Sequence, residues 1–449
     1  MLVRGVDQGG VSRGATTNNE HVVVDGTHHD LVHLDVAVSP MRGVIGRHGP
    51  SIAALAGVGE GDRTASVDGG LSGWQSVSMN FAFTDEQEEL RKTVRAFLDA
   101  KSPETAVREQ METERGFDPA VWAQMGEQMG LQGLAIPEQY GGSGFGFVEL
   151  GVVLEEMGRA LLCAPFFSSV VLAANALMLS GDDEAKSTYL PGIAAGSTIA
   201  TVALTEPSGK WDEASVTLPA TGSGRDVSLT GTKTFVLDGH VADVMLVAAR
   251  TSRGVSLYAV DKGAAGLTRT ALPTMDQTRK QARLDFEGTP ARLVGEEGKG
   301  WEILRTVLDQ AAVALAAEQV GGAQRVLDMA VDYAKVRVQF GRPIGSFQAI
   351  KHKCADMLLE VESAKSAAYY GMWCAAEMNE ELPSVASLAK AYCSEAYFHA
   401  AAENIQIHGG IGFTWEHPAH LYFKRAKSSE LLFGDPTYHR EMLARRIGI

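Results

Sequence analysis

The chain has 449 residues, 45% of them hydrophobic and 21% charged, with a formal net charge of −15. That length exceeds one simple core and calls for two or three domains. The acidic balance excludes a nucleic-acid-binding protein, which needs a basic face, and the absence of any run of about 18 apolar residues excludes a predicted membrane span.

Residues 1–78 differ from the rest. They contain no lysine, the first being Lys92, and they hold five of the twelve histidines: His21, His28, His29, His33 and His48. Glycine and valine are scattered there without a period of 2 or 3.6, which reads as a disordered extension or as sequence ahead of a start at Met79. A metal site in the histidine tract would need ligands fixed by a fold. From Met79 the signals sharpen. Thr84 with Gln87 three residues on is a capping box. Leu90, Val94, Phe97 and Leu98 then form the apolar stripe of an amphipathic helix. Helical pieces continue through VWAQMGEQMG, VELGVVLEEMGRAL and the run from 165 to about 195. Residues 79–197 therefore read as an N-terminal helical domain.

Near residue 198 the period changes. STIATVALTE, DVSLTGTKTFVLDG, VADVMLVAAR, GVSLYAVDKG and ARLDFEGTPARLV are β-branched and alternating, with Gly, Asp and Pro between them. Five or more strands make a small central β domain over 198–297. From Gly298 the helical period returns in a long helix that is small and apolar on several faces. Two more long helices are predicted at about 346–377 and 383–407, giving a C-terminal four-helix bundle over 298–449. The fold class is thus α+β, multidomain. Cys163, Cys354, Cys374 and Cys393 form no CxxC pair and sit in apolar helical segments, as buried thiols of a reducing compartment do. With no basic start followed by an apolar stretch, the expected address is the cytoplasm.

Four stretches are specific in combination: GLQGLAIPEQYGGSG (130–144), VALTEP (202–207), RVQFGRPIGSFQAIKHKCADM (337–357) and QIHGGIGF (406–413). In this order and spacing they resemble the acyl-CoA dehydrogenase superfamily of flavoproteins, across essentially all of residues 79–449. A rigid arginine such as Arg337 suits the doubly charged pyrophosphate of FAD. The pair Gly409-Gly410 lets backbone approach a ligand closely. The resemblance implies that Arg337, Phe340, Gln348, Gln406, Gly409 and Gly410 line the adenosine and pyrophosphate half of FAD, partly across a subunit interface. It places Thr205 and Phe235 at the flavin ring. It further implies an acyl-CoA substrate, an electron-transfer flavoprotein as acceptor, and a tetramer with copies of itself or with another dehydrogenase subunit.

Members of that superfamily use a carboxylate to take the α proton of an acyl-CoA thioester while the flavin takes the β hydrogen as hydride. Here the resemblance departs from pattern. Phe433 occupies the usual glutamate position, Ala311 the alternative position on the long helix, and Leu237 replaces a threonine near the flavin. Three readings stay open. The chain is a dehydrogenase with a displaced base, Asp435 first, then Glu318 and Glu430. Or it is the base-less partner in a heteromeric dehydrogenase of the kind found in actinobacterial sterol side-chain breakdown. Or it is a flavin monooxygenase of the same fold. Asp435 also precedes Pro436, a common turn pair. Mass spectrometry of the native protein is expected to find Met79 at its N-terminus; a peptide from upstream of it would contradict the internal start.

Overall fold

The computed structural model describes residues 83–449, so the N-terminal extension and Met79 lie outside the described residues. Helix α1 (Asp85–Lys101) starts with the predicted capping box: the Thr84 hydroxyl accepts from the Gln87 N–H at 3.2 Å, and the Gln87 side chain accepts from the Thr84 N–H at 3.0 Å. Val94 and Leu98 are buried and Leu90 and Phe97 pack against the same core. Short helices α2 (Glu104–Glu112) and α3 (Pro119–Glu127) follow, the second capped by Asp118. Helix α4 (Phe147–Arg159) is buried over most of its length, including Glu155 and Glu156. Buried carboxylates need partners. Arg91 meets Glu155 at 2.9 Å and Arg95 meets Glu156 at 2.7 Å, which fixes α1 on α4. The helix predicted from residue 165 is instead broken. A π-helical stretch, Phe167–Ala174, runs into α5 (Asn175–Leu179), the chain turns at Gly181 with φ 69°, and α6 (Asp183–Ala194) follows.

The sheet contains β1 (Ala200–Ala203), β2 (Ala220–Ser223), β3 (Asp226–Leu237), β4 (Val244–Thr251), β5 (Gly254–Asp261), β6 (Leu267–Leu272) and β7 (Gln281–Val294). Its order is β1-β4-β5-β7-β3-β2, with β6 also on β7, and only the β1–β4 pair is parallel. β2 and β6 had no clear sequence signal, because both are short and β6 is largely exposed. A bulge in β3 between Lys233 and Val236 puts Phe235 at φ 55° and turns its ring outward. Lys233 beside it is fully buried. Its ammonium donates to the Leu204 carbonyl at 2.9 Å and to Glu206 at 2.8 Å, so the segment after β1 is tied to the bulge.

Helix α7 (Gly300–Val336) leads into a two-residue hairpin of β8 (Val338–Gln339) and β9 (Arg342–Pro343), then α8 (Gln348–Ala376), α9 (Leu382–His408), α10 (Ala419–Leu431) and α11 (Pro436–Arg446). α7 packs on α4, α8 and α9, while α10 and α11 both pack on α9. The fourth member of the expected bundle is thus two short helices, interrupted where Gly434 takes φ 109° and Pro436 starts a new helix.

α4 and α7 cross backbone to backbone. A Cβ on Gly321 would lie 1.8 Å from the Glu155 carbonyl oxygen, and one on Gly158 1.9 Å from that of Glu318. An open mid-helix glycine gains about 0.5–1 kcal/mol on replacement by alanine. At this crossing the sign should reverse. Gly321→Ala is expected to lose about 2 kcal/mol or more through overpacking. Urea unfolding measures it, and a stabilised variant would refute the close crossing.

Candidate active site

The end of β1, the β3 bulge, the start of α7 and the turn after α10 converge on one cleft. Leu204, Thr205, Leu237, Leu304, Leu432 and Phe433 are among the residues that line it, and Phe235 and Trp211 stand at its side. The side chains leave about 20 Å³, room for a single water. Phe433 closes it. Its ring stacks on Phe167 at 5.7 Å and meets Trp211 edge-on at 5.3 Å. The lining is apolar except for Thr205, whose hydroxyl donates to the Thr234 carbonyl at 2.5 Å and is therefore spent on the bulge.

The turn that carries Phe433 is held from below. Lys390, fully buried on α9, donates to the Gly434 and Glu430 carbonyls at 2.9 Å each and to Ser394 Oγ at 3.0 Å. Burial without a bonded carboxylate pulls its pKa down to about 7. Burial also holds the His439 imidazole at about 3, so it is neutral, and its Nε2–H faces the Phe433 carbonyl at 3.2 Å. These contacts keep Phe433 at φ 62°, a left-handed conformation costly for a bulky side chain.

None of the three candidate carboxylates reaches the cleft. Asp435 is exposed and caps α11, accepting the Tyr438 N–H at 2.7 Å. Glu430 pairs with Lys427 at 3.0 Å. Glu318 lies behind Phe167, where its Oε1 accepts from Arg425 at 2.9 Å and also from Arg279. Arg425 donates in addition to Asp276 at 2.8 Å and to Thr278 Oγ1 at 2.6 Å. Asp276, Thr278 and Arg279 come from the loop between β6 and β7, so this buried cluster joins the sheet to the bundle. Its Arg279 lies 5.4 Å over the Phe167 ring and supports the wall that Phe433 packs on.

The remaining predicted residues gather elsewhere, at the far ends of α7 and α9. Arg337, Phe340, Gln348, Gln406, Gly409 and Gly410 are all exposed there. Among the described residues the Arg337 guanidinium has no ion pair or side-chain hydrogen bond. Phe340 is 92% exposed and also sits at φ 53° in the hairpin turn. An aromatic ring that is both strained and in water is a surface waiting for a cover. Above Gly409 and Gly410 an added Cβ would meet nothing within 4 Å. Tyr333 and His408, stacked at 4.2 Å, bring the two segments together. Nothing in the local sequence marks either ring.

The sequence matches the acyl-CoA dehydrogenase N-terminal domain over residues 84–197, the middle domain over 201–289 and the C-terminal domain over 298–448. The chain belongs to the acyl-CoA dehydrogenase family. It is 37% identical over 362 residues to the acyl-CoA dehydrogenase IpdE2 of Mycolicibacterium smegmatis, covering 81% of this chain and 98% of that protein. The ChsE4-ChsE5 complex from Mycobacterium tuberculosis is similar with TM-score 0.76 and 32% identity, over 82% of this chain and 99% of that chain. A variant of the Tcur3481-Tcur3483 steroid ACAD follows at TM-score 0.74 and 32% identity, over 81% and 97%. Acyl-CoA dehydrogenases are FAD-dependent oxidoreductases of lipid metabolism that act on the CH–CH bond of an acyl-CoA. Among the described residues no helix is long and apolar enough to cross a membrane.

The two groups of residues that the resemblance assigns to FAD differ in what they could accept. The pyrophosphate half fits: a free guanidinium at Arg337 and open backbone at Gly409-Gly410 suit a dianion. The ring half does not fit: Phe433, Trp211 and Leu432 fill the cleft, and Leu237 offers no side-chain donor. Phe433 was legible in the sequence as a replaced base, but its packing on Phe167 was not, since 266 residues separate the two.

The Lys390 ammonium gives this site a pH signature. Unfolded lysine keeps its proton to about 10.5, the folded one only to about 7. Between those values the unfolded state binds more protons, so stability rises with pH. The wild type is expected to gain stability relative to Lys390→Met between pH 7 and about 9.5. A stability difference flat across that window, in urea titrations, would contradict the buried ammonium.

Proposed function

We propose that this chain is the base-less subunit of a heteromeric acyl-CoA dehydrogenase, and that it completes the FAD site of a catalytic partner subunit. The observation that carries this reading is the closed, carboxylate-free cleft around Phe433, set against an intact and exposed pyrophosphate half. A residue that holds FAD across an interface must be exposed in the isolated subunit, and Arg337, Phe340, Gly409 and Gly410 are. The exposed apolar side chains around them, Val336, Val338, Phe413 and Trp415, suit a subunit interface. FAD, when bound, accepts the hydrogen removed from the β carbon. The task of this chain is to hold the pyrophosphate, with Arg337 as the bidentate donor and the Gly409-Gly410 backbone as a close floor. The α proton is taken by a carboxylate of the partner.

One of the similar structures is described as a steroid ACAD, and on that likeness we assign steroid-derived acyl-CoA thioesters to the complex, with electron-transfer flavoprotein as the acceptor and the cytoplasm as its place. Asp435 is not the base in this reading, because its carboxylate is committed to the α11 N-terminus.

Expressed alone, the chain should purify with little flavin. Co-expressed with a dehydrogenase subunit that carries a glutamate base, it should yield a yellow, active complex. In that complex Arg337→Gln is expected to weaken FAD binding by about tenfold to a hundredfold, the worth of a charge-assisted contact of roughly 1.5–3 kcal/mol. Asp435→Asn should leave turnover intact. A yellow homo-oligomer that turns over alone and loses activity on Asp435→Asn would overturn the proposal.

A further inference from the structure

The pyrophosphate half is built from two segments about 70 residues apart in sequence, and their spacing must be set by something. Arg337 ends α7, where its N–H donates to the Tyr333 carbonyl at 2.8 Å, so the guanidinium starts one turn beyond Tyr333. Gly409 ends α9 directly after His408, with φ 64°. The two rings that precede these ends stack face to face, 4.2 Å apart and 24° from parallel. His417, from the segment ahead of α10, also meets the His408 ring, at 4.2 Å and tilted by 46°. His408 thus touches rings from α7 and from the α9–α10 connection.

His408 has little freedom of its own. It is buried, and its Nδ1 lies 2.8 Å from the Asn404 carbonyl, one turn back, which makes Nδ1 the protonated nitrogen of the neutral ring. The turn after it folds back tightly. A Cβ on Gly412 would come within 2.9 Å of the Ile405 carbonyl oxygen and 3.1 Å of the His408 Cβ. The Gly412 end of the turn therefore packs closely on the last turn of α9 at Ile405 and His408, so the placement of His408 bears on the floor on which a pyrophosphate would lie. On the other side the hairpin follows Tyr333: the Ile344 N–H donates to the Arg337 carbonyl at 2.8 Å, so the hairpin and Arg337 move as one piece.

We propose that Tyr333 and His408 are positioning residues for FAD: their stack fixes the distance between the Arg337 guanidinium and the Gly409-Gly410 backbone, and so sets the affinity of the complex for the FAD pyrophosphate. Neither ring needs a polar group for this. Their role is that of a spacer, and a stacked aromatic pair contributes beyond its buried area. The inference rests on the half-site reading, and Arg337→Gln in the same assay tests that reading separately.

The test uses the full chain in its complex with the catalytic partner and measures FAD dissociation by flavin fluorescence, together with the KM for acyl-CoA at saturating FAD. Tyr333→Leu leaves a smaller apolar side chain at a half-buried position and removes the ring face; His408→Leu removes the ring at the buried one. Each is expected to weaken FAD binding by about five- to tenfold, with the acyl-CoA KM unchanged. Tyr333→Phe and His408→Phe, which retain a ring, should restore FAD affinity to within about twofold. If Arg337→Gln weakens FAD binding while the leucine variants do not, the spacer role is overturned and the half-site reading stands. If the phenylalanine variants fail to restore affinity, a polar contact of the hydroxyl or imidazole is responsible and the spacer role falls. If Arg337→Gln itself has no effect, the half-site reading falls.

Discussion

The molecule depends on one buried guanidinium. Arg425 holds Asp276, Thr278 and Glu318 at once, which ties α10, α7 and the β6–β7 loop to a common point. Arginine alone among the side chains offers five donors in a fixed fork, so it alone can serve three elements without leaving a donor unpaired. The arrangement is balanced in charge, with Arg279 and Arg425 against Glu318 and Asp276. Taking away one member would strand the others in a low-dielectric interior, at a cost of about 3–5 kcal/mol. Everything the cleft does is downstream of this joint. Phe433 is eight residues beyond Arg425 on the same chain segment, and the Phe167 ring it packs on lies under Arg279.

The two halves of the cofactor surface are held by different physics. The closed half is a matter of packing, with Phe433, Phe167 and Trp211 filling space around a loop that the Lys233–Glu206 pair keeps in place. The open half is a matter of exposure, with a cation, two glycines and an aromatic tip left uncovered at the helix ends. A subunit that served its own FAD would show the reverse at the ring. In the proposed complex the exposed end would face the neighbour, while the filled cleft would admit nothing. The α4–α7 crossing at Gly158 and Gly321 links the two, since the same long helix supplies Leu304 to the cleft and Tyr333 to the open end.

Local chemistry was readable in the sequence. The Thr84–Gln87 capping box, the β-branched strands and the long apolar period of α7 each depend on neighbours within one or two turns, and each appears where the residues indicated. β2 and β6 went unnoticed because short, exposed strands carry no alternation to read. The site was legible as residue types but not as an arrangement. Phe433 could be seen to replace a base; that it packs with Phe167 and Trp211 could not, nor that Glu318 would be clamped by Arg279 from the β6–β7 loop and Arg425 from α10. Tyr333 and His408 lie 75 positions apart, and nothing in either local sequence announces that their rings will meet. Asp435 shows the opposite failure. Its closeness to the expected base position drew attention, while its use as a helix cap was written in the Asp-Pro pair beside it.

The left-handed backbone at Phe433 has a consequence for descent. The turn, with Lys390 and His439 beneath it, is a mount whose tool has been exchanged. Putting a glutamate on that mount would set a carboxylate in a mostly apolar cleft among Phe167, Trp211 and Leu432, at a penalty of several kcal/mol for a desolvated ion. Recovery would need the ring pocket hollowed out and a donor restored at Leu237 in the same lineage, before any proton could be moved. On the proposed reading a neighbour supplies the proton acceptor, and no single substitution at this turn would free the chain from it.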